Sequence, residues 1–126
     1  MKTWLRIAAA ALIAISVAGA ATAAETKAVQ TMAGILANLN HFAGDADKKA
    51  LQAIVDDKAS TAQEKTVAQA LLGVQHKVSD ADKPKLQAIV DDKAAPESLK
   101  TISTIMLKLN HTASDEDKAK LKKIAA

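Results

Sequence analysis

The stretch Leu51 to Ala59 reads LQAIVDDKA, and the same nine letters return at Leu86 to Ala94. An identical nonapeptide displaced by 35 residues means internal duplication, and a period of 20–50 residues points to a repeat architecture. Working outward from it, the whole C-terminal part of the chain matches itself at that spacing without a gap. Thr31, Thr66 and Thr101 align, as do Leu36, Leu71 and Met106, then Leu39, Val74 and Leu109. Leu51, Leu86 and Leu121 form a further column, with Ile54, Ile89 and Ile124. The units run over about 31–65, 66–100 and 101–126, the third being the most divergent.

Each unit reads as two helices. Met32, Ile35, Leu36 and Leu39 recur at helical spacing and define one apolar face. Val67, Ala70, Leu71 and Val74 repeat it, and so do Ile102, Ile105, Met106 and Leu109. A shorter second helix carries Leu51, Ile54 and Val55, repeated as Leu86, Ile89 and Val90. Ser79-x-x-Asp82 and Ser114-x-x-Asp117 have the form of capping boxes, and Gly44 holds the cap position of the first unit. Asp45, Asp80 and Asp115 then fall at the first helical position, where a negative charge favours the helix dipole. Ser60-Thr61 starts the next long helix, and Pro96 is expected at the first helical position of the one after. Asp56-Asp57 and Asp91-Asp92 sit badly for the dipole and are expected to face solvent.

The expected fold is therefore all-α: three tandem 35-residue helical hairpins, six helices in all, forming a small repeat array or bundle. No single hairpin can bury its own stripe, whereas three together can. The period invites comparison with tetratricopeptide repeats, but the aromatic, Gly and Pro positions of that pattern are missing.

The N-terminus has a different character. Lys2 and Arg6 precede an uncharged run from Ile7, and Ala21-Thr22-Ala23 has the form of a small-residue cleavage site. This predicts a signal peptide over 1–23, a helical repeat domain over 24–126, and a periplasmic or secreted protein with no stable membrane anchor after cleavage. Removing Lys2 and Arg6 from the 17 basic residues leaves 15 against 14 acidic ones, a net charge of +1. So balanced a chain lacks the electrostatic footprint for nucleic acid. Trp4 is lost too, leaving Phe42 as the only aromatic residue, so stacking on bases is unsupported. There is no Cys, and stability must come from aliphatic packing.

No motif for nucleophilic catalysis or phosphate binding is present, and the reading is non-enzymatic, with no cofactor expected. One column carries chemistry: His41, His76 and His111, each followed four residues later by Asp45, Asp80 or Asp115. Imidazole and carboxylate together can bind a divalent transition metal, the aspartates acting as helpers. On a helical wheel His41 falls roughly opposite the apolar face, which predicts a solvent-facing or helix-end residue. A His near a helix C-terminus also interacts favourably with the dipole, and duplication copies it freely, so this plainer account is preferred from sequence. In an open array the three columns would stand on the order of 10 Å apart, too far for one ion with bonds of about 2.0–2.1 Å. A shared site requires the units to close around a pseudo-threefold axis. The function expected first is an interaction or scaffold module binding an unidentified periplasmic protein partner. The alternatives are metal binding or buffering by the His column and a stress-related, chaperone-like role using the aliphatic stripes.

Overall fold

A computed structural model describes residues 26–126. The expected signal peptide, 1–23, lies outside the described residues. Six helices follow in order: α1 Lys27–Asn38, α2 Asp45–Asp56, α3 Ala62–Leu72, α4 Lys83–Asp91, α5 Glu97–Lys108 and α6 Asp115–Ala125. The all-α fold and the helix pair in each unit are as the sequence indicates. Among the described residues, no helix is long and apolar enough to cross a membrane.

The odd- and even-numbered helices bury different amounts. In α1, Val29, Met32, Ala33, Ile35, Leu36 and Ala37 are all buried, an arc too wide for one contact. α2 buries only Leu51 and Ile54, a narrow stripe suited to one neighbour. The same contrast separates α5 from α4. Accordingly α1, α3 and α5 all touch one another and form an inner trio, while α2, α4 and α6 lie outside it. Leu36, Leu71 and Met106 are fully buried, as are Leu51, Leu86 and Leu121.

The tightest pairs do not coincide with the hairpins of the sequence units. They are α2 on α3, α4 on α5, and α6 on α1. Each unit lays its short helix on the long helix of the next unit, and the third unit returns to the first. Gln30 Nε2 donates to the Ala126 carbonyl at 3.2 Å across this closure. The repeat is thus a closed ring with pseudo-threefold symmetry.

Local chemistry explains the joints. Thr61 caps α3 in a full capping box: its hydroxyl accepts from Glu64 N at 3.1 Å, and Glu64 Oε1 accepts from Thr61 N at 2.9 Å. Ser114 caps α6 by accepting from Asp117 N at 3.2 Å. Asp57 and Asp92 end their helices and then accept from Ala59 N and Ala94 N, at 2.8 and 2.9 Å. These are Asx turns, so the second aspartate of each pair builds the tight link into the next inner helix. Asp56 and Asp91 instead accept from Gln52 and Gln87, one turn back.

Two expected starts shift. Pro96 is the cap itself and Glu97 is the first helical residue. Asp80 lies in a turn ahead of α4, which begins at Lys83. Lys83 N closes one turn on the Ser79 carbonyl at 3.2 Å, but Pro84 has no N–H to bond the Asp80 carbonyl, so the ladder is interrupted before α4.

Closure makes a quantitative demand on the third unit. In an open array Leu121 would sit on a terminal helix with one side bare. Here it is as buried as Leu86. Leu121→Ala should cost about 2–5 kcal/mol, matching Leu86→Ala, in urea unfolding followed by circular dichroism. A cost below about 1 kcal/mol would contradict the seating of α6 on α1.

Candidate metal site on the pseudo-threefold axis

The inner helices stop at Asn38, Leu72 and Lys108, and the chain then turns across one end of the trio. His41, His76 and His111 occupy these turns. They lie just past the helix ends, one of the two placements expected from the sequence, because the helix has ended before each is reached. Their φ angles are +72°, +70° and +70°, and they are the only non-glycine residues with positive φ among the described residues.

A positive φ is accompanied here by very tight turns. Phe42 N donates to the Asn40 carbonyl at 2.9 Å, and Thr112 N to the Asn110 carbonyl at 2.8 Å. A bond spanning only two residues, with φ near +70°, is the rarer and more strained γ-turn. In the middle unit Gln75 N donates to the Lys77 carbonyl at 3.3 Å across the same corner. Holding a residue with a Cβ at such an angle costs about 1–2 kcal/mol.

The strained backbone closes the ring. His41 N–H donates to the His111 carbonyl at 2.9 Å, His76 N–H to the His41 carbonyl at 2.6 Å, and His111 N–H to the His76 carbonyl at 2.6 Å. Three residues form a cycle around the axis, and each of them donates through its own N–H and accepts through its own carbonyl. This cycle brings the three histidine backbones together around the axis, within reach of one another's side chains.

The imidazole rings do meet. Their centroids are 4.9, 5.1 and 4.7 Å apart, with interplanar angles of 67°, 80° and 54°. One nitrogen from each ring lies within 4.8 Å of the others. His41 Nδ1 and His76 Nδ1 are 3.2 Å apart. Two imidazole nitrogens on a tetrahedral zinc, with bonds of 2.0–2.1 Å, are separated by about 3.3 Å, so this pair already has ligand spacing. His111 Nδ1 is 2.8 Å from Asn110 Oδ1. A proton donated across that contact puts the ligand lone pair on Nε2 and orients the ring, as partners of metal-bound histidines commonly do.

The surroundings favour a cation. Three inner helices point their C-terminal ends toward this face, and each contributes partial negative charge. His41 is half-buried, while His76 and His111 are exposed, so an ion can reach the site from solvent.

The aspartates proposed as helpers are not part of the cluster. Among the described residues, the grouping of metal-ligating side chains consists of the three histidines alone. Asp45 and Asp115 open α2 and α6 as first-turn residues. Asp80 lies 3.1 Å from Lys83 Nζ. That hydrogen bond and the charge of Lys83 hold the Asp80 carboxyl below its ordinary value, with a smaller pull from Lys77.

At the other end of the inner trio, Glu64 is buried and accepts the Thr26 hydroxyl at 2.6 Å besides its own cap bond. Its column mates are Val29 and Leu99, so the carboxylate is not repeated at this end, although the capping threonines Thr26 and Thr61 are. The T-x-x-E spacing of Thr61 and Glu64 was the available signal for that contact. Compared with protein-family models, curated proteins and solved structures, the chain matches none of them.

The strain at the histidine turns is measurable. His76→Gly relieves the Cβ crowding and His76→Ala does not. In metal-free protein, the Gly variant should exceed the Ala variant in stability by about 1 kcal/mol by chemical denaturation. Equal stabilities would mean the turn is unstrained.

Proposed function

We propose that this protein binds one divalent transition metal ion through His41, His76 and His111 at the exposed end of its pseudo-threefold axis. The observation that carries the proposal is the convergence of three imidazole nitrogens to within 4.8 Å of one another. Three nitrogen ligands suit zinc, copper or nickel and are poor partners for magnesium or calcium, which prefer oxygen. Three histidines leave a coordination position open, as catalytic and exchangeable sites do and closed structural zinc sites do not.

An ion held at an exposed end by neutral ligands, with no carboxylate in the cluster, is placed for exchange. In a protein exported to the periplasm, the role is to take up the ion and hand it on, or to buffer it, without a reaction of its own. This reading is preferred over a scaffold module because the concave surfaces of open repeat arrays are what suit them to partners, and the ring is closed. A chaperone-like role would need free apolar stripes. The stripes supply the core instead, and Phe42 is the only exposed large apolar side chain among the described residues.

The test is an NMR titration of the 24–126 protein with Zn²⁺, Ni²⁺ and Cu²⁺ in turn. The three imidazoles should shift together and saturate at one equivalent of metal. Each single His→Ala substitution should weaken binding about tenfold or more, and the triple variant should lose it. Protons compete with the ion for the ligand lone pairs, so affinity should fall on acidification. Imidazoles that stay put at one equivalent, or a triple variant with unchanged affinity, would contradict the proposal.

A further inference from the structure

The pseudo-threefold symmetry fails in side-chain size at the position after each histidine. The residues that follow them are Phe42, Lys77 and Thr112, so a single unit places a large apolar side chain there. Phe42 is 57% exposed. Lys48 Nζ lies 5.9 Å from its ring centroid, within cation–π range. These two residues of the first unit and Leu72, Val74, Gln75 and His76 of the second line a cleft of about 370 Å³. That volume falls within the range of about 300–1,000 Å³ typical of small-molecule sites. His76 belongs both to the cleft and to the histidine triad.

We propose that this cleft seats the apolar or aromatic part of a small organic monocarboxylate whose carboxylate group fills the open position on the metal. The inference rests on the metal reading above. Three neutral imidazoles leave the double positive charge of the ion uncompensated, and no carboxylate belongs to the cluster among the described residues. The helix C-terminal ends offset part of that charge, and an anion from solution supplies the ligand that the cluster lacks. Lys48 adds a second positive charge at the cleft wall and selects for an anion. Phe42, Leu72 and Val74 add apolar surface that a bare inorganic anion cannot use. A carboxylate attached to a ring or short hydrocarbon satisfies both demands at once.

Cobalt(II) serves as the test ion because its visible spectrum reports changes in its ligands. Benzoate and acetate are titrated into protein saturated with cobalt, and methyl shifts of Leu72 and Val74 are followed in the zinc-loaded form. The expected result is a spectral change with benzoate at a concentration at least about tenfold below that required for acetate. Leu72 and Val74 should shift with benzoate only when metal is present. In Phe42→Ala at saturating cobalt the advantage of benzoate should disappear, and in Lys48→Ala both carboxylates should weaken. Cobalt that binds with equal response to benzoate and acetate would overturn this inference alone. Cobalt that fails to bind at the imidazoles would overturn the metal reading and this inference with it.

Discussion

Three peptide hydrogen bonds at the end of the axis hold the consequences of this fold together. Each runs from the N–H of one histidine to the carbonyl of another, and together they join residues 35 and 70 positions apart into a cycle. Such a cycle can form only if the third unit returns to the first. It requires a positive φ at every participant, and that costs free energy in residues with a Cβ. The cost is met by packing elsewhere, since the inner helices bury their apolar arcs only when all three are present. Backbone strain concentrated at equivalent polar side chains, here three histidines of which two are exposed, is a common property of functional sites.

The division of labour between helices follows from the width of their apolar surfaces. An inner helix faces two inner neighbours and two outer helices, one of them closely, so alanine joins the larger residues in its interior arc. Ala33 and Ala68 are fully buried and let the helices approach closely. An outer helix needs one stripe and keeps the remainder of its surface charged. The direction of the inner trio then matters. Its N-terminal ends meet around Thr26, Thr61 and Glu64, and its C-terminal ends lead into the histidines. Three aligned dipoles therefore present their negative ends where the imidazoles gather.

Much of this architecture was legible in the chain. The Leu51, Leu86 and Leu121 column and the faces beginning at Met32, Val67 and Ile102 identify the core directly, because helical periodicity is a local property. The caps at Ser114 and Thr61 are local as well. The histidine site was legible only as a column. Helical projection kept His41 out of the core but could not bring it to the axis, because it extends a geometry that stops at Asn38. Whether the columns converge depends on the pairing of α6 with α1, the most distant helices in the sequence. Nothing within one unit distinguishes closure from an open stack. The exchange of partners between units was hidden for the same reason, although Asp57 and Asp92 carried a signal for it as turn-forming residues.

The central claim is that closure puts three imidazoles on one ion. X-ray absorption fine structure at the zinc edge of monomeric protein carrying one equivalent of zinc measures this directly. Three imidazole nitrogens at about 2.0–2.1 Å are expected, with one oxygen donor completing the shell. A shell with a single imidazole and otherwise oxygen would contradict it, because that is what an unclosed array of separated histidines would supply.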